Sequence, residues 1–186
     1  AIMEYNNNKQ DLVWFAMSAP YCRELEAKRL LDNRSIENFI PMCYKVSVKQ
    51  NKKTRVLVPA IHNLIFVRTT RPIIKETKQQ ISILQYITRT DNGKNIPVIV
   101  PDMQMQQFIT VSKTNSEQLI YLRPEEINLK KGTRVRILGG TFDGVEGIFV
   151  KIKGIRSRRV VVVIPGITAV VTAEIQPDLI EVISQS

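Results

Sequence analysis

Apolar and polar positions along this chain follow two different rhythms, and the change falls near residue 126. Residues 12–17 (LVWFAM) form a short continuous apolar run, expected as a buried strand. Pro20 suits the first turn of a helix. Residues 21–33 set Leu25, Leu30 and Leu31 among charges without a glycine, which predicts an amphipathic helix. Residues 36–48 are rich in β-formers but broken by Pro41, which cannot donate to a ladder, so this strand belongs at or near an edge. Residues 56–67 (VLVPAIHNLIFV) return to core composition, and 64–67 is the clearest buried strand of this half. Further helices are predicted over 72–80 and from Pro101-Asp102 to Val111. Two short strands flank Asn92-Gly93, a hairpin signal. Together these elements predict an α+β sandwich, an antiparallel sheet with flanking helices, over residues 12–111.

Residues 112–126 are polar and turn-rich and are expected to be a linker, although 119–122 has the composition of a strand. From 127 onward the helical period disappears. Five short β runs follow, at 133–138, 145–152, 160–164, 167–172 and 179–183, separated by Gly139-Gly140, Lys153-Gly154, Pro165-Gly166 and Pro177-Asp178. Five short strands cannot make two full sheets. They can close into a small five-stranded barrel over 127–183, which removes exposed edges. The β-branched Val160–Val163 and Val170-Val171, with helix breakers at Gly154, Pro165 and Gly166, favour this barrel over any helical hairpin. Residues 1–11 are polar and are expected to be a disordered tail, with Ala1-Ile2 an appended remnant ahead of a native Met3.

Composition narrows the function. Of 186 residues, 44% are hydrophobic, which excludes a wholly disordered chain. The net charge of +10 raises the prior for an anionic partner, nucleic acid or an assembly built on it. The excess is spread over both halves, with local clusters at Lys49, Lys52, Lys53 and Arg55, and at Lys151, Lys153, Arg156, Arg158 and Arg159. No apolar run approaches the ~20 residues of a membrane span, so no membrane partner is expected. Two cysteines, Cys22 and Cys43, are too few for a disulfide framework and point to a reducing, cytoplasmic setting. Neither lies in a Cys-x-x-Cys, and His62 is the single histidine, so neither metal nor cofactor is expected. A Cys–His–acid nucleophile is conceivable from inventory alone. No paired carboxylates, phosphate loop or Gly-x-Ser-x-Gly elbow appears, so no enzyme is expected.

The most specific signal is residues 130–150, KKGTRVRILGGTFDGVEGIFV. Val135 and Ile137 fall on one strand face, Arg134 and Arg136 on the other. Gly132, Gly140, Gly144 and Gly147 supply positive φ or close backbone approach at tight corners. The segment resembles the KOW motif in the form G-x-x-V-R-I-x-G-G-x-F-x-G-x-E-G. An α+β domain precedes it, with Trp14-Phe15 on its first strand and Pro59–Val67 standing where NusG proteins carry an F-P-G-Y-V-x-V-like segment. The order resembles that of NusG-family transcription factors: an NGN domain, a linker and a KOW barrel. Ile61, His62, Asn63 and Leu64 replace the Phe, Pro, Gly and Tyr of housekeeping NusG. Pro165 and Ile167 alter the barrel loop that meets the termination factor Rho or a ribosomal protein in that family. The overall pattern is similar to the NusG-like antiterminators of Bacteroides capsular polysaccharide operons (UpxY type).

The resemblance implies a monomeric antiterminator whose first domain binds the clamp helices of the largest RNA polymerase subunit through Trp14, Ile61, His62, Asn63 and Leu64. Four of these also have a bland reading: Trp14, Ile61 and Leu64 as ordinary core, His62 as structural or simply exposed. Lys49, Lys52, Lys53 and Arg55 are either a solvated hairpin tip or a guide toward non-template DNA or nascent RNA. The barrel would recruit a second partner through Phe142, Lys151, Lys153, Arg156, Arg158, Arg159, Ile164 and Ile167. Phe142 either anchors that partner or folds back as a plug, and the barrel's basic cluster either contacts RNA or an acidic protein or only keeps the barrel soluble. The alternative function is a ribosome-associated RNA-binding KOW protein.

Overall fold

Two packing centres organise the chain in the computed structural model, which describes residues 12–114, 117–126 and 132–184. One comprises the residues up to Ile40 together with His62–Asp102; the other comprises Pro41–Ile61 together with the residues from Met103 onward. The expected tail over 1–11 lies outside the described residues.

The first unit is built on a sheet whose spine is β1 (Val13–Ser18) paired antiparallel with β5 (Leu64–Thr69). β2 (Glu37–Phe39) extends the β5 edge, and β6 (Gln85–Tyr86) and β9 (Ile99–Val100) pair with β1. The apolar runs at 12–17 and 64–67 therefore lie side by side, and Phe15, Ala16, Met17, Ile65, Phe66 and Val67 are almost wholly buried. α1 (Glu24–Asp32) buries Ala27 and Leu31. α2 (Arg71–Gln80) buries Ile74 and Thr77 behind an N-cap, where the Thr70 hydroxyl accepts from the Ile73 N–H at 3.4 Å. The hairpin at Asn92-Gly93 is present as β7 (Thr88–Asp91) and β8 (Lys94–Pro97), both turn residues having positive φ.

Pro20 does not open α1 as its position suggested. The chain first turns through Tyr21 and Cys22, both with positive φ, and the helix starts only at Glu24. Residues in the left-handed region cannot continue a right-handed helix, so the proline ends β1's exit rather than starting α1.

The second unit holds a two-stranded ribbon, β3 (Met42–Lys49) and β4 (Lys52–Pro59), turning through Gln50 and Asn51, both at positive φ. Its main body is a six-stranded antiparallel sheet ordered β10 (Ile120–Leu122), β14 (Thr168–Val171), β13 (Arg158–Ile164), β12 (Glu146–Lys151), β11 (Thr133–Ile137), β15 (Ile180–Ser184). The five expected β runs all form strands. β10 adds a sixth from within the expected linker, pairing Tyr121 with Val170. α3 (Asp102–Ser112) buries Met105, Phe108, Val111 and Ser112. Its Gln107 side chain accepts from the Glu146 N–H at 2.9 Å, and Gln104 donates to the Val163 carbonyl at 2.6 Å. Val160, Val161 and Val162 are all buried, so the central strand is covered on both faces. Val135 and Ile137 point inward, while Arg136 pairs outside with Glu146 at 2.7 Å and Glu181 at 3.5 Å.

Gly147 shows why a glycine stands inside β12. A Cβ there would lie 2.6 Å from the Val161 carbonyl oxygen and 2.8 Å from Val160 Cγ1. The backbone of β13 passes where a side chain would be.

Candidate functional site

The loop leaving β1 and the turn entering β5 are stitched together by Asn63. Its carbonyl accepts from Ala19 N–H at 2.8 Å, its side-chain oxygen accepts from Cys22 N–H at 2.8 Å, and its own N–H donates to Glu24 Oε2 at 3.2 Å. Asn63 has a φ of 69°, a conformation asparagine tolerates because its short side chain bonds locally. Tyr21, 91% exposed, stands out from the same loop. His62 is exposed, and its Nδ1 lies 3.4 Å from Cys22 Sγ. Glu24 is 3% exposed. Ligand atoms of Cys22, Glu24 and His62 all lie within 4.8 Å of one another.

Of the residues expected to dock a partner here, His62 is exposed and Ile61 and Asn63 are half-buried. Trp14 and Leu64 are buried in the core of the first unit, at 5% and 3% exposure. Leu64, opposite Ser18 at the start of β5, supports the turn from beneath, whereas Trp14, opposite Arg68 and Val100, lies at the far end of the pair. An open groove elsewhere on this unit, about 510 Å³, is lined by residues including Arg34, Glu37, Arg68 and Glu76. Arg68 pairs there with Glu37 at 3.2 Å and also with Asp102 at 3.6 Å, so the groove partly satisfies its own charges.

The basic cluster of the ribbon is divided by its register. Lys53 opposes Val48, Arg55 opposes Val46, and Leu57 opposes Tyr44, so these six share one face. Lys49 and Lys52 oppose each other across the turn. The Arg55 guanidinium sits 4.3 Å from the Tyr44 ring centroid and also pairs with Glu117. Tyr44, Val46, Val48, Val56 and Leu57 are all exposed. The expectation that 56–67 returns to the core therefore fails for its first residues, because among the described residues β4 pairs with β3 alone.

In the six-stranded sheet, Lys151, Lys153, Arg156 and Arg158 are exposed, and Ile167 is half-buried. Arg159 is half-buried and folds back, donating to Ser157 Oγ at 3.0 Å and the Thr172 carbonyl at 3.2 Å. Phe142 and Ile164 are buried, at 8% and 1% exposure, so they pack inside rather than present themselves. Burial raises the Tyr121 phenol above the ordinary tyrosine range, with the Ser112 hydroxyl pulling the other way.

The grouping of Cys22, Glu24 and His62 brings together a Cys–His–acid set that the sequence offered only as an inventory, without saying which residues meet. The three meet only because β1 and β5 pair, with Ser18 opposite Leu64, and that pairing joins residues about 40 positions apart. Local spacing carries no sign of it.

A mixed α+β chain with antiparallel sheets and a β-rich second half is the class this fold defines. The family model described as transcription termination factor NusG matches residues 12–109. The chain belongs to the NusG family of transcription factors. Among solved structures, one described as "Domain interaction in Thermotoga maritima NusG" is similar, with 18% identity and a TM-score of 0.47, covering 94% of this chain and 98% of that one. No curated protein matches the chain. Among the described residues no helix is long and apolar enough to cross a membrane.

Proposed function

We propose that this chain is a cytoplasmic antitermination factor that binds RNA polymerase through residues 12–111 and promotes processive elongation. The observation that carries the reading is the family match over 12–109. The polymerase clamp helices would meet the turn at Ile61, His62 and Asn63, with Leu64 holding that turn from behind and Trp14 in the core of the same sheet. No bond chemistry is performed. The effect is a population shift, through tighter binding to the processive polymerase than to the paused one. The Lys53–Arg55 face of the ribbon would lie toward non-template DNA or nascent RNA, whose phosphates its charges suit. Residues 127–183 form a KOW module that recruits a second partner, its exposed cations Lys151, Lys153, Arg156 and Arg158 supplying the contact. The departures from housekeeping NusG at 61–64 and 164–167 support an operon-specific role of the capsular polysaccharide type.

The test is binding of the full chain to purified core RNA polymerase, with an Ile61→Asp variant shown to be folded by its unfolding curve. Ile61 is chosen over the buried Leu64, where a charge would unfold the first unit. We expect the parent to bind and the variant to lose at least tenfold in affinity, about 1.4 kcal/mol. Parent binding that the variant retains would move the site. A parent that ignores polymerase but binds ribosomal RNA would replace this reading with the ribosomal one.

A further inference from the structure

We infer that Cys22, Glu24 and His62 form a binding site for a zinc-class divalent cation, independent of the polymerase reading. Three observations converge on it. The first is geometry: Sγ of Cys22 and Nδ1 of His62 are 3.4 Å apart. Two ligands of a tetrahedral zinc, at about 2.3 Å for sulfur and 2.0–2.1 Å for nitrogen, stand roughly 3.5 Å from each other. With the Glu24 carboxylate also inside the 4.8 Å cluster, the three atoms need only a small closure to share one ion.

The second is the state of Glu24. Its side chain is nearly wholly buried, at 3% exposure. Among the described residues its carboxylate accepts one hydrogen bond, from the Asn63 N–H at 3.2 Å, and no Lys, Arg or His forms an ion pair with it. A buried carboxylate needs a cation or several donors to offset its lost hydration. The first turn of α1 contributes some positive potential at this position. A divalent ion held with Cys22 and His62 supplies the missing charge in full.

The third is the backbone. Tyr21 and Cys22 adopt φ of 61° and 55°, and Asn63 one of 69°. Left-handed non-glycine residues cost free energy and persist where the surroundings hold them. Here the strained turn directs Cys22 toward His62, and the Asn63 bonds fix both strands of the site. Thiolate, imidazole and carboxylate suit zinc, and three protein ligands leave a fourth position for water or a partner's side chain. Binding would clamp the exit of β1 to the start of β5.

The experiment uses the full chain, reduced and treated with chelator. Zinc affinity is measured by competition with a chromophoric chelator, and cobalt is added separately as a spectroscopic probe. We expect one equivalent of zinc to bind, a cobalt spectrum with thiolate-to-metal charge transfer and tetrahedral ligand-field bands, and a rise in Tm with zinc. Cys22→Ser should abolish the charge-transfer band, while Cys43→Ser should keep it. Glu24→Gln and His62→Gln should each weaken zinc at least tenfold, since even groups that only support ligands are worth about 10–100-fold. Glu24→Gln retains shape and an acceptor, so its fold is expected to survive; a Tm measured without metal checks this. Absence of the thiolate band in the parent, or zinc affinity equal to the parent's in Cys22→Ser, Glu24→Gln and His62→Gln, would overturn the site and leave Cys22–His62 as a thiol–imidazole contact. Because polymerase is not in the assay, neither outcome bears on the docking proposal.

Discussion

The β1–β5 pair and the β3–β4 ribbon are built from similar residues and end in opposite environments. Leu64, Ile65, Phe66 and Val67 are at or below 3% exposure, whereas Val46 and Val48 are about 60% exposed. Both pairs are antiparallel and both are rich in β-branched or aromatic residues. What separates them is their neighbours. β1 and β5 have strands on both sides, while among the described residues β3 and β4 pair only with each other. An apolar run thus specifies that a segment will be extended; whether it is buried depends on the strands and helices that come to cover it. A two-stranded ribbon is marginal alone, and its exposed apolar face, flanked by Lys53 and Arg55, is what a partner surface looks like.

The contrast is tested most strongly by truncation. Phe66→Ala in β5 should cost about 3–5 kcal/mol, the usual figure for emptying a fully buried aromatic site. Val46→Ala in β3 should cost less than about 0.5 kcal/mol, as for an ordinary surface position. Urea unfolding monitored by far-ultraviolet circular dichroism compares the two. A large loss at Val46 would mean that the ribbon is covered in the free protein. Next in size is Gly147→Ala. The added methyl meets the β13 backbone rather than a movable side-chain end, so about 1–3 kcal/mol is expected, as for overpacking elsewhere. A neutral Gly147→Ala would show that β12 and β13 can separate cheaply, bringing them nearer to the ribbon than to the β1–β5 spine.

Much of this division was legible in the chain. LVWFAM and LIFV gave their strands because a continuous apolar run without glycine or proline has few other uses at that length. Gly147 could be placed from the motif because close strand approach leaves only hydrogen in that position. The 120–122 strand had a strand's composition within a stretch whose turn residues argued for a linker, but its partner was not legible, since its pairing with β14 joins Tyr121 to Val170, about 50 residues away. The burial of Trp14 followed from its run, but that of Phe142 and Ile164 was not legible, since an aromatic in a loop or an isoleucine at a strand end has the same local signature whether it anchors a partner or plugs the core. The Cys22–Glu24–His62 grouping was invisible for the same reason: it is a product of register.

The smallest effect concerns Tyr121 in β10, whose environment differs from that of the ribbon's exposed Tyr44. Burial is the leading cause of its raised phenol pKa. A raised pKa means that the folded state favours the neutral phenol more than the unfolded chain does. The associated stability is fully present below the ordinary tyrosine value of about 10 and is lost as pH climbs through the higher folded value. Tyr121→Phe removes the titrating group and keeps the ring that packs at 6.3 Å from Phe108. At neutral pH the substitution should change stability by less than about 1 kcal/mol. Between pH 8 and 11 the parent should lose more stability than the variant, with both sharing the losses from lysine and the other tyrosines. Urea midpoints at the two pH values measure the difference. Parallel losses would mean that Tyr121 reaches water when it ionises, and that β10 is attached to the sheet as loosely as the ribbon's strands are to their surroundings.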